Sequence, residues 1–199
     1  MSSTETADTR DRLLTAAAAL MWERSFQATG VDELCQRANA KKGSFYYFFK
    51  SKSDLAVAAI ERSWVLTKAM FFEPIFSGSG SGLKRIQTLI ENISEFQSQV
   101  AGGKNGILGC PFGNLGQEMA RQDEKIRPSL QQIFAAHCDY IESALDSAVQ
   151  AGEIPPGDNR QRAENIFALL EGALLLAKVA NDIKIFQRTA STVMAVAAT

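Results

Sequence analysis

The chain has 199 residues, 46% hydrophobic and 22% charged, with a formal net charge of −1, proportions that suit a folded globular protein and exclude a disordered or fibrous one. At a pI of about 5.9 it does not coat nucleic acid by bulk charge, so any contact with DNA must be local and oriented. The start, MSSTETADTRDR, carries no apolar run behind a basic segment, and no stretch reaches the roughly 18 apolar residues of a membrane span, so a cytoplasmic protein with no membrane partner is expected. Cys35, Cys110 and Cys138 are an odd set without metal-ligand spacing, which points to reduced thiols and calls for no metal or cofactor.

In chain order, Asp8 and Asp11 are placed to cap a first helix over 8–25, whose stripe is Leu13, Leu14, Ala17, Leu20 and Met21. Val31, Leu34, Cys35 and Ala38 then recur at the spacing of one helical face. Thr29 precedes them as a candidate N-cap, with Asp32 three residues on, and its hydroxyl can also donate to a phosphate. Asn39 stands where the chain must turn, and asparagine tolerates a left-handed backbone better than most residues. Phe45, Phe48 and Phe49 share the inner side of the next short helix, leaving Ser44, Tyr46 and Tyr47 outside. Between Arg37 and Lys52 there are five basic residues (Arg37, Lys41, Lys42, Lys50 and Lys52) and no acidic one. Two short helices, a tight break and a basic outer face are the layout of a helix-turn-helix that reads double-stranded DNA. The plainer alternative is a basic amphipathic hairpin with a solvated face and no partner.

Ser51 and Asp54 cap a fourth helix that begins at Lys52 and is kinked or ended by Pro74. SGSGSG over 77–82 reads as a flexible connector, and with no strand before it a phosphate loop is not expected. Helices follow over about 20 residues from Leu83, after a glycine-rich break at AGGKNG from the segment GCPFGNLGQEMA, and over 124–151 with Pro128 in the first turn. GEIPPGDN is a loop, and helices over 160–181 and 183–197 complete an all-α chain. The stretch AENIFALLEGALLLAKVA is apolar nearly all round and so must be buried on more than one side, part against its own core and the rest against another subunit, or else as the central helix of a monomer.

The segment KKGSFYYFFKSKSDL, preceded by TGVDELCQRANA and the leucine- and alanine-rich first helix, resembles the N-terminal domain of TetR-type transcriptional repressors. The resemblance implies a three-helix helix-turn-helix DNA-binding domain over 1–52, then a helical effector-binding and dimerisation domain over 53–199. It further implies a homodimer on a palindromic operator, since two recognition helices must meet major grooves roughly 34 Å apart. Carried over by position, Lys42, Gly43, Ser44, Tyr46 and Tyr47 would line the recognition helix, with Thr29, Lys50 and Lys52 on phosphates. Lys41 departs from the family pattern, which more often has a capping serine, threonine or proline there. The last two helices of each protomer would form a four-helix interface through Leu170, Ala173, Leu174 and Ala177, with Gly172 permitting close approach.

A repressor needs a signal. Cys110 comes just before a helix whose first turn would contain Pro111, where backbone N–H groups favour a reactive thiolate, and Lys178 could stabilise it further. GC before a helix, together with LLEGALLLAK, resembles an electrophile-responsive subgroup of the family, so the effector is expected to be an electrophile or another small molecule acting at Cys110, Phe112 and Lys178. Alternatively Cys110 and Phe112 line a pocket wall, with Lys178 a snorkelling residue or a counter-ion for an acidic ligand. Cys35 and Cys138 read as structural. A thiol-dependent enzyme or small-molecule carrier with an incidental basic face is the competing class; an enzyme is not expected, because His137 is the only histidine and no carboxylate is placed to orient it.

Overall fold

In the computed structural model, which describes residues 3–78, 80–103 and 106–198, the fold is all-α: a helix-turn-helix part followed by a helical C-terminal part. Ser79 in the SGSGSG run and Lys104 and Asn105 in AGGKNG lie outside the described residues. The chain divides into two compact units, one made of Met1–Leu66 with Pro111–Gln132 and the other of Thr67–Cys110 with Ile133–Thr199. The unit that carries the helix-turn-helix therefore extends past residue 52 and takes in a segment from the second half of the chain.

In the first unit, α1 (Ser3–Glu23) begins before its expected acidic caps; Asp8 pairs instead with Arg12 one turn on. Leu13, Leu14, Ala17, Leu20 and Met21 are buried, and α2 (Val31–Arg37) and α3 (Lys42–Phe48) pack on them through Leu34, Cys35 and Phe45. Asn39 adopts φ 46°, the left-handed turn between α2 and α3. The N-cap of α2 is Gly30 with no side-chain cap, so Thr29 does not cap it: its hydroxyl donates back to the Ser25 carbonyl at 2.9 Å. Phe49 is buried but already extended, at φ −133° and ψ 124°. α4 (Lys52–Thr67) is capped by Ser51, whose Oγ accepts from the Asp54 N–H at 3.1 Å. The unit is completed by α7 (Pro111–Met119) and the first turns of α8 (Ile126–Gln150).

Pro74 acts through a π-helical turn, Lys68–Phe72, in which the Glu73 N–H reaches the Lys68 carbonyl five residues back. The proline ring crowds the carbonyl four residues before it, and widening the turn relieves the clash. α5 (Glu73–Phe76) then closes the bend.

In the second unit, α6 (Gly82–Ala101) is capped by Ser81 and packs so closely on α8 that a Cβ on Gly82 would lie 2.0 Å from the Ala144 carbonyl. α9 (Asn159–Ala180) is capped by Asp158 at its start and by left-handed Asn181 at its end, and it packs chiefly on α10 (Ile183–Ala198). No helix among the described residues is long and apolar enough to cross a membrane, and none of their His, Cys, Asp and Glu side chains group as metal ligands.

Candidate functional site

The outer side of α3 is formed by a helix too short to bury its own polar face, held from beneath by fully buried Phe45. Tyr46 and Tyr47 are 55% and 77% exposed. Their rings are braced edge-on, Tyr46 by Phe45 at 5.1 Å and Tyr47 by Phe48 at 4.9 Å, which fixes their direction before any ligand arrives. Gly43 has open space where a side chain would stand, so a phosphate or base edge can approach the backbone. Lys41, Lys42 and Lys50 are exposed around this face and Ser44 is half-buried.

Charges distant in sequence reshape the basic patch. Arg37 pairs with Glu23 at 2.9 Å and Lys42 with Asp32 at 2.8 Å, a hydrogen bond that pushes the lysine's pKa up. Both pairs are solvent-exposed, so they are weak and a phosphate can displace the carboxylate. Lys52, expected on a phosphate, is a structural tie instead. Its Nζ donates to the carbonyls of Phe26 (2.9 Å), Gln27 (3.2 Å) and Thr29 (3.0 Å) and stands 4.4 Å from the centre of the Phe26 ring. An ammonium has three protons, and three carbonyls account for them. Burial pulls the Lys52 pKa down, opposed by the Glu118 charge. Thr29, also expected on a phosphate, is 1% exposed.

The thiol site lies in the second unit. Segment 106–110 is pinned from two helices. Asn181 Oδ1, at the end of α9, accepts from the Ile107 N–H at 3.0 Å. Buried Gln97, on α6, pairs with Gly109 in both directions, Nε2 donating to its carbonyl at 3.0 Å and Oε1 accepting from its N–H at 3.1 Å. Cys110 follows, half-exposed and immediately before the first residue of α7. Its thiol bonds to the Glu171 carboxyl of α9; burial pushes the Glu171 pKa up, and the thiol contact offsets part of that.

Lys178 is on the same face of α9 seven residues on, about 10 Å along the axis, and burial lowers its pKa with no charged partner contributing. The thiol's neighbour on α9 is therefore a carboxyl rather than the expected ammonium. Phe112 is 2% exposed in the first unit and stands edge-on to Trp64 of α4 at 6.2 Å. Of Gln97, Glu171 and Asn181, Glu171 alone carried a signal in the sequence, a carboxyl inside a helix that is apolar nearly all round; Gln97 stands among the many polar residues of α6, and Asn181 is the residue that ends α9. Cys35 and Cys138 are buried, and burial pushes both thiols up.

The expected dimer residues are Leu170, Ala173, Leu174 and Ala177, at 5%, 4%, 6% and 0% exposure. They are covered within a single chain. The face of α9 left open is the adjacent one, where Leu175, Leu176 and Val179 are 40%, 59% and 78% exposed beside Gly172, at which a side chain would meet nothing.

A helix-turn-helix whose second helix carries an exposed, lysine-flanked aromatic face, followed by a helical C-terminal part, is the layout of a DNA-binding transcriptional regulator. The family models agree: the bacterial regulatory proteins of the tetR family match residues 13–59, and the tetracyclin repressor-like C-terminal domain matches residues 82–193. The chain belongs to the TetR family. It is 27% identical over 194 residues to the HTH-type transcriptional repressor NemR of Escherichia coli, covering 96% of this chain and 95% of that one. It is 27% identical over 180 residues to an uncharacterized HTH-type transcriptional regulator of Lactococcus lactis, covering 90% and 88%. The crystal structure of reduced E. coli NemR superposes with a TM-score of 0.82 at 25% identity, covering 95% of this chain and 97% of that one. These relatives are transcriptional regulators, which sets aside the thiol-enzyme alternative.

Proposed function

We propose that the protein is a homodimeric repressor that binds a palindromic operator in the cytoplasm and is released when an electrophile modifies Cys110. The observation that carries the DNA reading is the recognition face: two braced, exposed tyrosines flanked by Lys41, Lys42 and Lys50, with an open backbone at Gly43. The homodimer rests on the apolar stripe Gly172, Leu175, Leu176 and Val179 of α9, since a contiguous apolar face on a soluble protein is most simply covered by a copy of itself. The Cys110 step rests on a half-exposed thiol at the N-terminus of α7, held in one place by Gln97 and Asn181. The thiol adds across the double bond of an electrophile such as a maleimide: sulfur bonds to one alkene carbon, and the thiol proton ends on the neighbouring carbon.

The experiment is selection of a duplex from a random library with the reduced protein, then titration of that complex with N-ethylmaleimide. Release from the wild type and retention by Cys110→Ser are expected. Release of both proteins to the same extent would exclude the thiol step and leave the DNA reading intact.

A further inference from the structure

Both flanks of the helix-turn-helix are fastened to one short segment of the same unit, residues 118–125, for which the DNA reading gives no role. Before the motif, the Glu118 carboxylate of α7 takes the N–H groups of Phe26 and Gln27 at 2.9 Å each, one on each oxygen, and the Ser25 hydroxyl. After it, Asp123 accepts from the Ser53 hydroxyl, and Lys125 donates to Asp54 at 2.7 Å. Lys52 joins the two sides, because it ends α2's approach loop on the carbonyls of Phe26, Gln27 and Thr29 while standing in the first turn of α4. Burial pushes Glu118 and Asp123 up, but the hydrogen bonds they accept outweigh it and hold both below the ordinary carboxylate range. These are ionised carboxylates with fixed partners, and charge-assisted bonds of this kind are the stronger ones.

We propose that Glu118 and Asp123 are positioning residues that fasten the DNA-reading head to α7, and so fix the placing of the two heads of a dimer on the two halves of an operator. The proposal rests on the DNA reading above. A loosened head still reads a half-site as before. It loses the advantage of having its partner already in register, because effective concentration falls when the two sites are no longer held at the matching span.

The test uses the full-length protein with two probes, the selected palindromic duplex and a duplex carrying one half of it. In Glu118→Gln a single carbonyl oxygen replaces two acceptors, and the amide protons oppose an N–H donor. The variant is expected to bind the palindrome about tenfold more weakly, the effect of one lost charge-assisted bond, with half-site affinity changed by less than about twofold. Asp123→Asn, acting on the other flank, is expected to do the same. Amide exchange is expected to rise over residues 25–29 and 51–55, with α3 as protected as in the wild type. Equal losses on both duplexes, with a lowered melting temperature, would show that the residues serve stability alone and overturn the proposal; unchanged palindrome affinity in both variants would do so too. If the wild-type protein selects no duplex, the DNA reading itself fails, and unchanged exchange over 25–29 and 51–55 in both variants would then overturn the fastening separately.

Discussion

The Cys110 thiol and the Glu171 carboxyl are hydrogen-bonded, a pairing of α9 with the residue just before α7. A carboxylate that accepts the thiol proton opposes its loss, since the thiolate would face a like charge. The helix N-terminus acts the other way. Removing the carboxylate leaves the helix terminus unopposed, so Glu171→Gln is expected to alkylate about threefold faster with N-ethylmaleimide at pH 7, the thiolate being the nucleophile. The rate against pH, followed by maleimide absorbance, checks this. An unchanged or slower rate would mean that Glu171 assists the thiol rather than holding it.

His137 is packed edge-on to Phe72 at 4.9 Å and against Phe167 at 5.2 Å. Its Nδ1 donates to the Ile133 carbonyl at 2.7 Å, which fixes the neutral tautomer because a carbonyl only accepts. Burial lowers its pKa to about 4. The folded ring resists a proton that the unfolded chain takes up near pH 6.5, so stability is full above pH 6.5, declines as the pH falls and stops declining below about 4. The loss is at most about 3 kcal/mol. In His137→Asn, which keeps a donor for Ile133, urea melts between pH 7 and 4 are expected to lack that decline.

The lysines of the basic segment separate into two kinds. Lys50→Ala is expected to weaken binding to every duplex and reduce the slope of log affinity against log salt by about 1, the mark of one phosphate contact. Tyr47→Ala is expected to lower affinity for the selected duplex only. Lys52→Ala is expected to lose about 2 kcal/mol of stability in thermal melts, the scale of hydrogen bonds to a charged group, with the salt slope of the folded protein unchanged.

On α9 the exposed and buried stripes make opposite predictions. Val179→Asp places a charge on the open face and is expected to give a monomer in sedimentation with little change in helicity. Leu174→Ala leaves a cavity inside one chain and is expected to cost about 2–5 kcal/mol while the dimer persists. A dimeric Val179→Asp protein would place the subunit contact elsewhere.

The DNA-reading segment was legible because its information is local. The spacing of Leu34 and Cys35, the turn at Asn39 and the outward Tyr46 and Tyr47 each follow from neighbours within one or two turns. The same holds for the cap at Ser51 and the bend at Pro74, though not for the π turn by which the helix accommodates the proline. On α9 the sequence established that the helix is apolar nearly all round, and for that reason it could not say which stripe faces inward: both Leu170, Ala173, Leu174 and Ala177 and Leu175, Leu176 and Val179 are apolar.

What the sequence by itself determined, then, is an all-α chain headed by a helix-turn-helix, because periodicity, caps and turns are fixed over a few residues. Tertiary structure alone decided where the side chains of that scheme find their partners. Lys52 is drawn from phosphate to three carbonyls, Cys110 meets Glu171 rather than Lys178, Phe112 goes to Trp64, and the stripe of α9 left open is that of Leu175, Leu176 and Val179 rather than Leu174. Each of these joins residues of different elements or depends on which side of a helix the rest of the chain covers. Such pairings cost only loop-closure entropy, which grows slowly with separation, so nothing in the spacing of the residues records them.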